Sequence, residues 1–449
     1  MEIIKIKKGK PYLFSDVNKW GGKGDNLLKL SEVFDVPSGF VVSSDTFSDF
    51  VKQNGLVDFL QSSVNGDDPE RAYHIINEKF DSSNFNDDSI SRLKVEFDKI
   101  KPPLAVRSSS IGEDGDKNSY AGQYETILGI TRFDDFLDSM KKVYASLFNA
   151  GAIAYEKSRG LENPSIALVV QTMVNPKASG VAYSPSPNNK DEILVESTWG
   201  LCTSVVDGRS CDIYRVLDTV TENIISDISP KKREQDKFSP LERRVVTSEV
   251  PLFNQSKPSL TKEQILEVAK TVKSIERSYG CPMDVEFAFD NDSKLYVLQA
   301  RPITSIQYSE ENIVLPNISI QKILAKSRNI RNQGIFEGPA VIVRGVDHVN
   351  KRFDIDGDLE KMNKEYADSG YILITPEVPP QLEQYVTNAK AMYATECGTT
   401  GHAAAVACER GIVYLGRGQN SIPNLLQNLR SGVNIGIAVD KREGILYLV

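Results

Sequence analysis

The chain has 449 residues, 40% hydrophobic and 25% charged, with a formal net charge of −8. These proportions suit a globular chain of about two to four domains, exclude a fibrous or disordered one, and give nucleic-acid binding no support. Met1-Glu-Ile-Ile-Lys-Ile-Lys-Lys-Gly9 holds no apolar core of signal-peptide length, and no run of about eighteen apolar residues occurs, so a cytoplasmic location without membrane contact is expected. Five cysteines (Cys202, Cys211, Cys281, Cys397, Cys408) lie scattered without a CxxC pair, which points to reduced thiols rather than a zinc site or disulfide framework.

In chain order, helical stretches are predicted over Thr46–Gln61 and Pro69–Phe80. From Pro164 to Pro302 the chain becomes strand-like, with Ile166–Val174, Glu192–Glu196 and Leu295–Gln299 rich in strand formers. The charges of Pro230-Lys-Lys-Arg-Glu234 read as solvated loop. Residues 305–333 are polar, contain Pro316 and show basic helical character near Ile320–Lys326, which suits a connector. A compact second unit follows from Gly338, and the whole reads as an α/β (α+β) enzyme.

Two glycine-rich segments carry the parts of a phosphate cradle: Gly21-Gly-Lys-Gly-Asp-Asn26, and Arg107-Ser-Ser-Ser-Ile-Gly-Glu-Asp114 followed by Ser119-Tyr-Ala-Gly-Gln123. Neither matches GxxxxGK[ST], and each alone is an ordinary turn. Further on, Val285, Phe287 and Phe289 alternate with Asp284 and Glu286, and Lys294–Arg301 reads as the returning strand of a hairpin. A four-residue turn over Asn291–Lys294 sets Asp290 opposite Leu295 and Glu286 opposite Gln299, with Arg301 on the face of Gln299. Two hard oxygen donors there suit Mg²⁺, and the guanidinium suits a phosphate; a surface salt bridge is the plainer alternative.

Near the end, Glu396-Cys-Gly-Thr-Thr-Gly-His-Ala-Ala-Ala-Val-Ala-Cys-Glu-Arg-Gly411 runs from a glycine-rich turn into a short apolar helix. This sets His402 at a helix N-terminus, where unpaired N–H groups favour a phosphoryl group. Taken alone, such a histidine is more often a capping or packing residue.

In order and approximate spacing, Gly21-Gly-Lys-Gly24, Val36-Pro-Ser-Gly-Phe40, Val106-Arg-Ser-Ser109, Ala121-Gly-Gln123, Val169–Val174, Ser179-Gly-Val-Ala-Tyr183, Glu196-Ser-Thr-Trp-Gly-Leu201, Asp284-Val-Glu286 and Leu298-Gln-Ala-Arg-Pro-Ile303 resemble one family's nucleotide domain. It is the ATP-grasp domain of phosphoenolpyruvate synthase, pyruvate phosphate dikinase and rifampin phosphotransferase. Ile372-Leu-Ile-Thr-Pro376 and Thr395–Ala404 resemble that family's swivelling β/β/α phosphohistidine domain. The resemblance implies a two-lobed nucleotide domain over 1–304, a hinge over 305–335 and a phosphohistidine domain over 336–449. It implies that Lys23, Arg107, Gly122, Thr126 and Arg301 surround the ATP phosphates, that Gln171 and Glu196 lie by the adenine, and that Glu286 and Gln299 hold Mg²⁺. It further implies that His402 takes a phosphoryl group from ATP and passes it to a small-molecule acceptor, leaving AMP and phosphate.

The sequence departs from the family at Gly401, where relatives commonly have Ser or Cys, and at Cys408, where relatives usually have Arg; acceptor chemistry is expected to differ accordingly. With the chain ending at Val449, neither a pyruvate-binding barrel nor a rifampin-binding insertion is expected. Three readings follow: a compact dikinase-type kinase with its acceptor site between two domains, one subunit of a split phosphotransferase with the acceptor site on a partner protein, or a non-catalytic nucleotide sensor or phosphocarrier. The intact set Lys23, Arg107, Glu286, Gln299, Arg301 and His402 favours the first two.

Overall fold

The computed structural model describes the chain except for residues 65–68, 111–123, 150–164, 187–188, 207–210, 219–222, 228–231, 304–312, 328–329, 348–351, 377, 379–381, 383–385, 387, 396–401, 418–427 and 441–442. The chain divides into two compact units, the first built from Met1–Lys177, Asp236–Ser248 and Arg277–Thr304, the second from the remainder. Helices and strands are mixed throughout, giving the α/β class expected.

The first unit is founded on a five-stranded antiparallel sheet of β1 (Ile3–Ile6), β2 (Gly39–Val42), β3 (Leu104–Ser110), β4 (Thr126–Ile130) and β5 (Ile166–Thr172), in the order β1-β2-β5-β3-β4. Among the described residues it is accompanied by the helices α1 (Val17–Leu30), α2 (Ser44–Gln53), α3 (Val57–Val64), α4 (Pro69–Asp81), α5 (Asp87–Phe97) and α6 (Phe133–Ser146). Their apolar faces meet the sheet in an aromatic-rich core in which Phe40, Phe50, Phe80, Phe136 and Tyr144 are fully buried. The stretch Thr46–Gln61 is two helices rather than one. Gly55 adopts φ +64°, and the Leu56 and Gly55 amides donate to the Val51 and Lys52 carbonyls at 3.0 and 3.1 Å, which closes α2 with a Schellman turn.

The second unit holds β6 (Pro176–Ser184), β7 (Ile193–Trp199), β8 (Asp212–Asp218) and β9 (Asn223–Asp227), joined antiparallel in that order, and α7 (Lys262–Tyr279), while β10 (Glu234–Ser239) and β11 (Arg244–Glu249) pair as a separate two-stranded ribbon. The expected solvated charge of segment 230–234 is corrected at Lys232. Its ammonium is fully buried 2.7 Å from an equally buried Asp212, whose other oxygen accepts from the Ser259 amide and hydroxyl, both at 2.7 Å. An isolated ammonium could not enter such a site; its partner two strands back makes it possible.

A nine-stranded sheet fills the end of the chain: β14 (Ile323–Ser327), β15 (Ile330–Arg331), β16 (Gly334–Asp347), β17 (Arg352–Ile355), β18 (Tyr371–Thr375), β19 (Ala389–Ala394), β20 (Val413–Leu415), β21 (Asn434–Val439) and β22 (Gly444–Leu448). Here β16, β18, β19 and β20 run parallel, and the near-continuous apolar runs Val341–Val343 and Tyr371–Ile374 are buried on both faces. The helical character predicted near Ile320–Lys326 is confined to one 3₁₀ turn, Ile320–Lys322. The rest is the edge strand β14, paired with β22 because Leu324 and Ala325 have a core to enter. Among the described residues no helix is long and apolar enough to cross a membrane.

Candidate functional site

The glycine-rich segment Gly21–Asn26 lies inside α1, which breaks at Gly21 (φ 68°, ψ 169°). Any side chain at Gly21 would place its Cβ 1.9 Å from the Ser109 carbonyl oxygen, so both the positive φ and the close approach demand glycine. Ser109 secures the contact: its hydroxyl donates to the Trp20 carbonyl at 2.8 Å and accepts from the Gly24 amide at 2.9 Å. Lys23, on the first turn after the break, reaches Ser108 Oγ at 3.5 Å. The lysine and the Arg107-Ser-Ser109 stretch of β3 are thus gathered by backbone geometry.

The hairpin of β12 (Met283–Asp290) and β13 (Leu295–Pro302) supplies the other wall. Glu286 pairs with Gln299, as its alternation predicted, but by a different route. At the turn Phe289, not Asp290, faces Leu295; a bulge between Glu286 and Phe287 then takes up one residue of β13 and restores the expected register. Asp35 anchors the turn, its carboxylate 2.9 Å from Lys294 Nζ and its carbonyl accepting from the Val297 amide at 2.8 Å.

Arg107 joins the two walls. Its Nη1 donates to Gln299 Oε1 at 3.3 Å, and its Nη2 lies 3.7 Å from Glu286 Oε2, with the Arg107 and Glu286 side chains 17% and 26% exposed. Both separations exceed the about 2.7–2.9 Å of a tight charge-assisted bond. A carboxylate and an amide oxygen therefore stand on adjacent strands, loosely held, the carboxylate part-exposed and Gln299 buried behind it. That donor set fits Mg²⁺, which takes few protein oxygens and keeps water and phosphate for the rest. Among the described residues no cluster of three or more His, Cys, Asp or Glu forms a fuller metal cage.

The other expected residues fall as follows. Thr126 pairs directly with Arg107 across β3 and β4 and is exposed. Gln171 is buried on β5 between Gly39 and Ala105, its Nε2 donating to the Pro37 carbonyl at 3.3 Å. Arg301 faces Asp284, whose Oδ2 accepts from its Nε and Nη2 at 2.9 and 2.7 Å. Gly122 lies outside the described residues, as do Gly401 and the turn 396–400. Ser108 and Ser109 fall within the Arg107-Ser-Ser-Ser110 cradle segment read from the sequence, but their individual contacts, Asp35 and the orienting role of Asp284 were missed; Asp284, alternating with Glu286, left a signal there.

In the second unit, Glu196 is fully buried on β7, paired with Val181 and Ile213. The nearby Cys211 thiol is pushed well above its usual range, by burial first and then by the Glu196 and Asp212 carboxylates. His402 is the first residue of α9 (His402–Glu409), which follows α8 (Leu359–Glu365) in this unit. β19 ends on the carboxyl edge of the parallel strands, a place where such sheets offer loops and helix N-termini to ligands, and α9 is the next described element after it. Ala403, Ala404 and Ala407 seat α9 on Val341, Leu373 and Met392. Asn332 (φ 47°) donates from Nδ2 to the Ala407 and Ile412 carbonyls at 3.0 and 2.8 Å, satisfying the helix's far end.

Residues 17–321, more than half of the chain, match the family described as pyruvate phosphate dikinase, AMP/ATP-binding domain. The chain belongs to that family, and membership carries with it the ATP-grasp type of nucleotide fold. Relatives include a probable phosphoenolpyruvate synthase of Pyrococcus horikoshii, 29% identical over 88% of this chain and 53% of that one. The phosphoenolpyruvate synthases of Pyrococcus furiosus and Escherichia coli are 28% and 30% identical, over 96% and 89% of this chain and 57% and 52% of theirs. The chain thus spans about half the length of these curated relatives.

Proposed function

We propose that this chain is an ATP-dependent phosphotransferase of the dikinase type, working through a phosphohistidine at His402. The observation that carries the reading is the convergence of Arg107 on Glu286 and Gln299, with Lys23 brought to the same strand by the Gly21 break. Cations and hard oxygens gathered so are what a nucleotide triphosphate and its metal require. Family membership supports the same donor.

Arg107 is poised to exchange its long contacts for phosphate oxygens, which frees Glu286 and Gln299. These two residues would hold Mg²⁺, which when bound offsets phosphate charge. Lys23 and Arg301 extend the clamp, Arg301 with its plane fixed by Asp284. Gly122 and Thr126 line the phosphates, while Gln171 and Glu196 serve the adenine end. The imidazole of His402 then forms a P–N bond at the β-phosphorus as the bond from that phosphorus to the bridging oxygen of the α-phosphate breaks, releasing AMP and leaving a pyrophosphoryl group on the ring; water then attacks the γ-phosphorus, releasing inorganic phosphate and leaving phosphohistidine, an anion that the start of α9 favours. A small-molecule acceptor takes the phosphoryl group in a later step.

The reading assigns 1–304 to nucleotide binding, 305–335 to a hinge and 336–449 to the phosphohistidine domain. Separate donor and acceptor sites require that domain to travel. Glu286→Ala and Gln299→Ala test the donor side: each should abolish Mg²⁺-dependent AMP formation, measured by chromatography of the nucleotides. Wild-type rates in both would refute the metal pair.

A further inference from the structure

Asp25 stands two residues beyond Lys23 on the buried face of α1, a face otherwise made of Trp20, glycines and leucines. Its side chain is 1% exposed, and a carboxylate so placed is costly unless it is paired. Oδ1 accepts from the Tyr12 hydroxyl at 2.7 Å and from the Asp16 amide at 3.0 Å. The Ser15 hydroxyl lies 2.9 and 2.8 Å from the two oxygens, and Oδ2 is 2.7 Å from Lys29 Nζ. Burial works to raise this carboxyl, but Lys29, Tyr12 and Ser15 outweigh it and hold it below its usual range.

These contacts fasten a stretch that glycine would otherwise leave loose. Asp16 caps the first turn of α1, its side chain accepting from the Lys19 amide at 3.2 Å, and the helix then breaks at Gly21. The bond from the Asp16 amide to Asp25 spans nine positions, among them Gly21, Gly22 and Gly24, each of which enlarges the freedom of an unfastened chain. Ser109 closes the same break a second time, from the Trp20 carbonyl to the Gly24 amide. Lys23 falls inside both spans.

We propose that Asp25 is a positioning residue for the nucleotide: by holding Tyr12–Asp16 to the part of α1 beyond the break, it fixes the direction in which Lys23 meets the phosphates. The inference rests on the phosphotransferase reading of the Lys23 and Arg107 site and adds to it a carboxylate that acts through Lys23 rather than on the substrate. A cation fixed beforehand loses less freedom when a phosphate arrives, so the gain falls on the triphosphate and not on the nucleoside end.

Isothermal titration of the full chain with Mg²⁺ and α,β-methylene-ATP, which resists cleavage at the bond broken in AMP release, and separately with AMP, tests the proposal. Asp25→Ala should weaken the triphosphate roughly tenfold and change AMP by no more than about twofold. In a Lys23→Ala background the same substitution should cost about twofold or less, because the two residues act as one. Unchanged triphosphate binding by Asp25→Ala, an equal loss in both backgrounds, or a loss shared by AMP overturns the proposal. If Lys23→Ala alone leaves triphosphate binding unchanged, the nucleotide reading of this site fails first and the proposal falls with it. Tyr12→Phe combined with Ser15→Ala removes two donors from the outer side of the clasp and should give the same triphosphate-selective loss at about threefold. That double variant decides where Asp25→Ala does not fold, and unchanged triphosphate binding there overturns the proposal.

Discussion

Replacing Lys232 by Met leaves the Asp212 carboxylate fully buried and without its ammonium, beside the Ser259 amide and hydroxyl. Breaking a buried pair of this kind costs about 3–5 kcal/mol, because the surviving charge can neither reach water nor find a new partner. With a urea slope of about 2 kcal/mol per molar, the unfolding midpoint should fall by about 1.5–2.5 M. Trp199 reports on the same sheet, its indole N–H donating to the Asn254 carbonyl at 3.1 Å, and a Trp20→Phe background makes its fluorescence the only tryptophan signal. Lys232→Met with Asp212→Asn should regain at least half of the loss, since no charge is then stranded. A shift below about 0.5 M for the single variant, or no recovery in the double one, would refute the burial argument.

Three further outcomes follow from local geometry. Gly21→Ala should cost at least about 2 kcal/mol in thermal or urea unfolding and strongly reduce AMP formation, because its Cβ cannot coexist with the Ser109 carbonyl. Tyr214→Phe should be neutral or stabilising by up to about 1 kcal/mol: the hydroxyl is buried beside Ser197, Ser259 and the Leu260 backbone yet makes no hydrogen bond of good geometry. The Ser431 amide, together with Arg344 and Arg430, lowers the Asp356 carboxyl to about 2. A depressed carboxylate stabilises above its unfolded value and loses that contribution as pH falls towards its folded one. Asp356→Asn should therefore lose about 1–2 kcal/mol at pH 7, after allowance for solvent screening, and show a flatter stability profile between about pH 4 and 2 than wild type.

Much of the candidate site was legible because its residues obey short-range rules. Alternation along Asp284–Phe289 and the spacing to Gln299 set Glu286 and Gln299 across from one another, and the apolar stretch after His402 announced a helix at that residue. The compensating bulge was invisible, since Phe289 facing Leu295 and the extra residue on β13 cancel in the count. Long-range pairing hid the rest. Lys232 looks like loop charge until Asp212, twenty residues earlier, is folded against it, and Ser109 looks like part of a turn until Gly21 is brought to its carbonyl. The strand β14 read as helix because Lys326, with Lys322 just before the strand, mimics a basic helical face, while its pairing with β22 depends on residues more than a hundred positions away. The break between α2 and α3 runs against the helical stretch predicted over Thr46–Gln61, although Asn54-Gly55 carries the signal for it.

The central claim is that His402 carries the phosphoryl group. Incubation of the full chain with β-labelled ATP and Mg²⁺, followed by acid and alkali stability tests and peptide mapping, addresses it most directly. Acid-labile, alkali-stable label on the peptide containing His402, absent from His402→Ala, is the predicted result; label that persists in that variant, or none on wild type, contradicts the account.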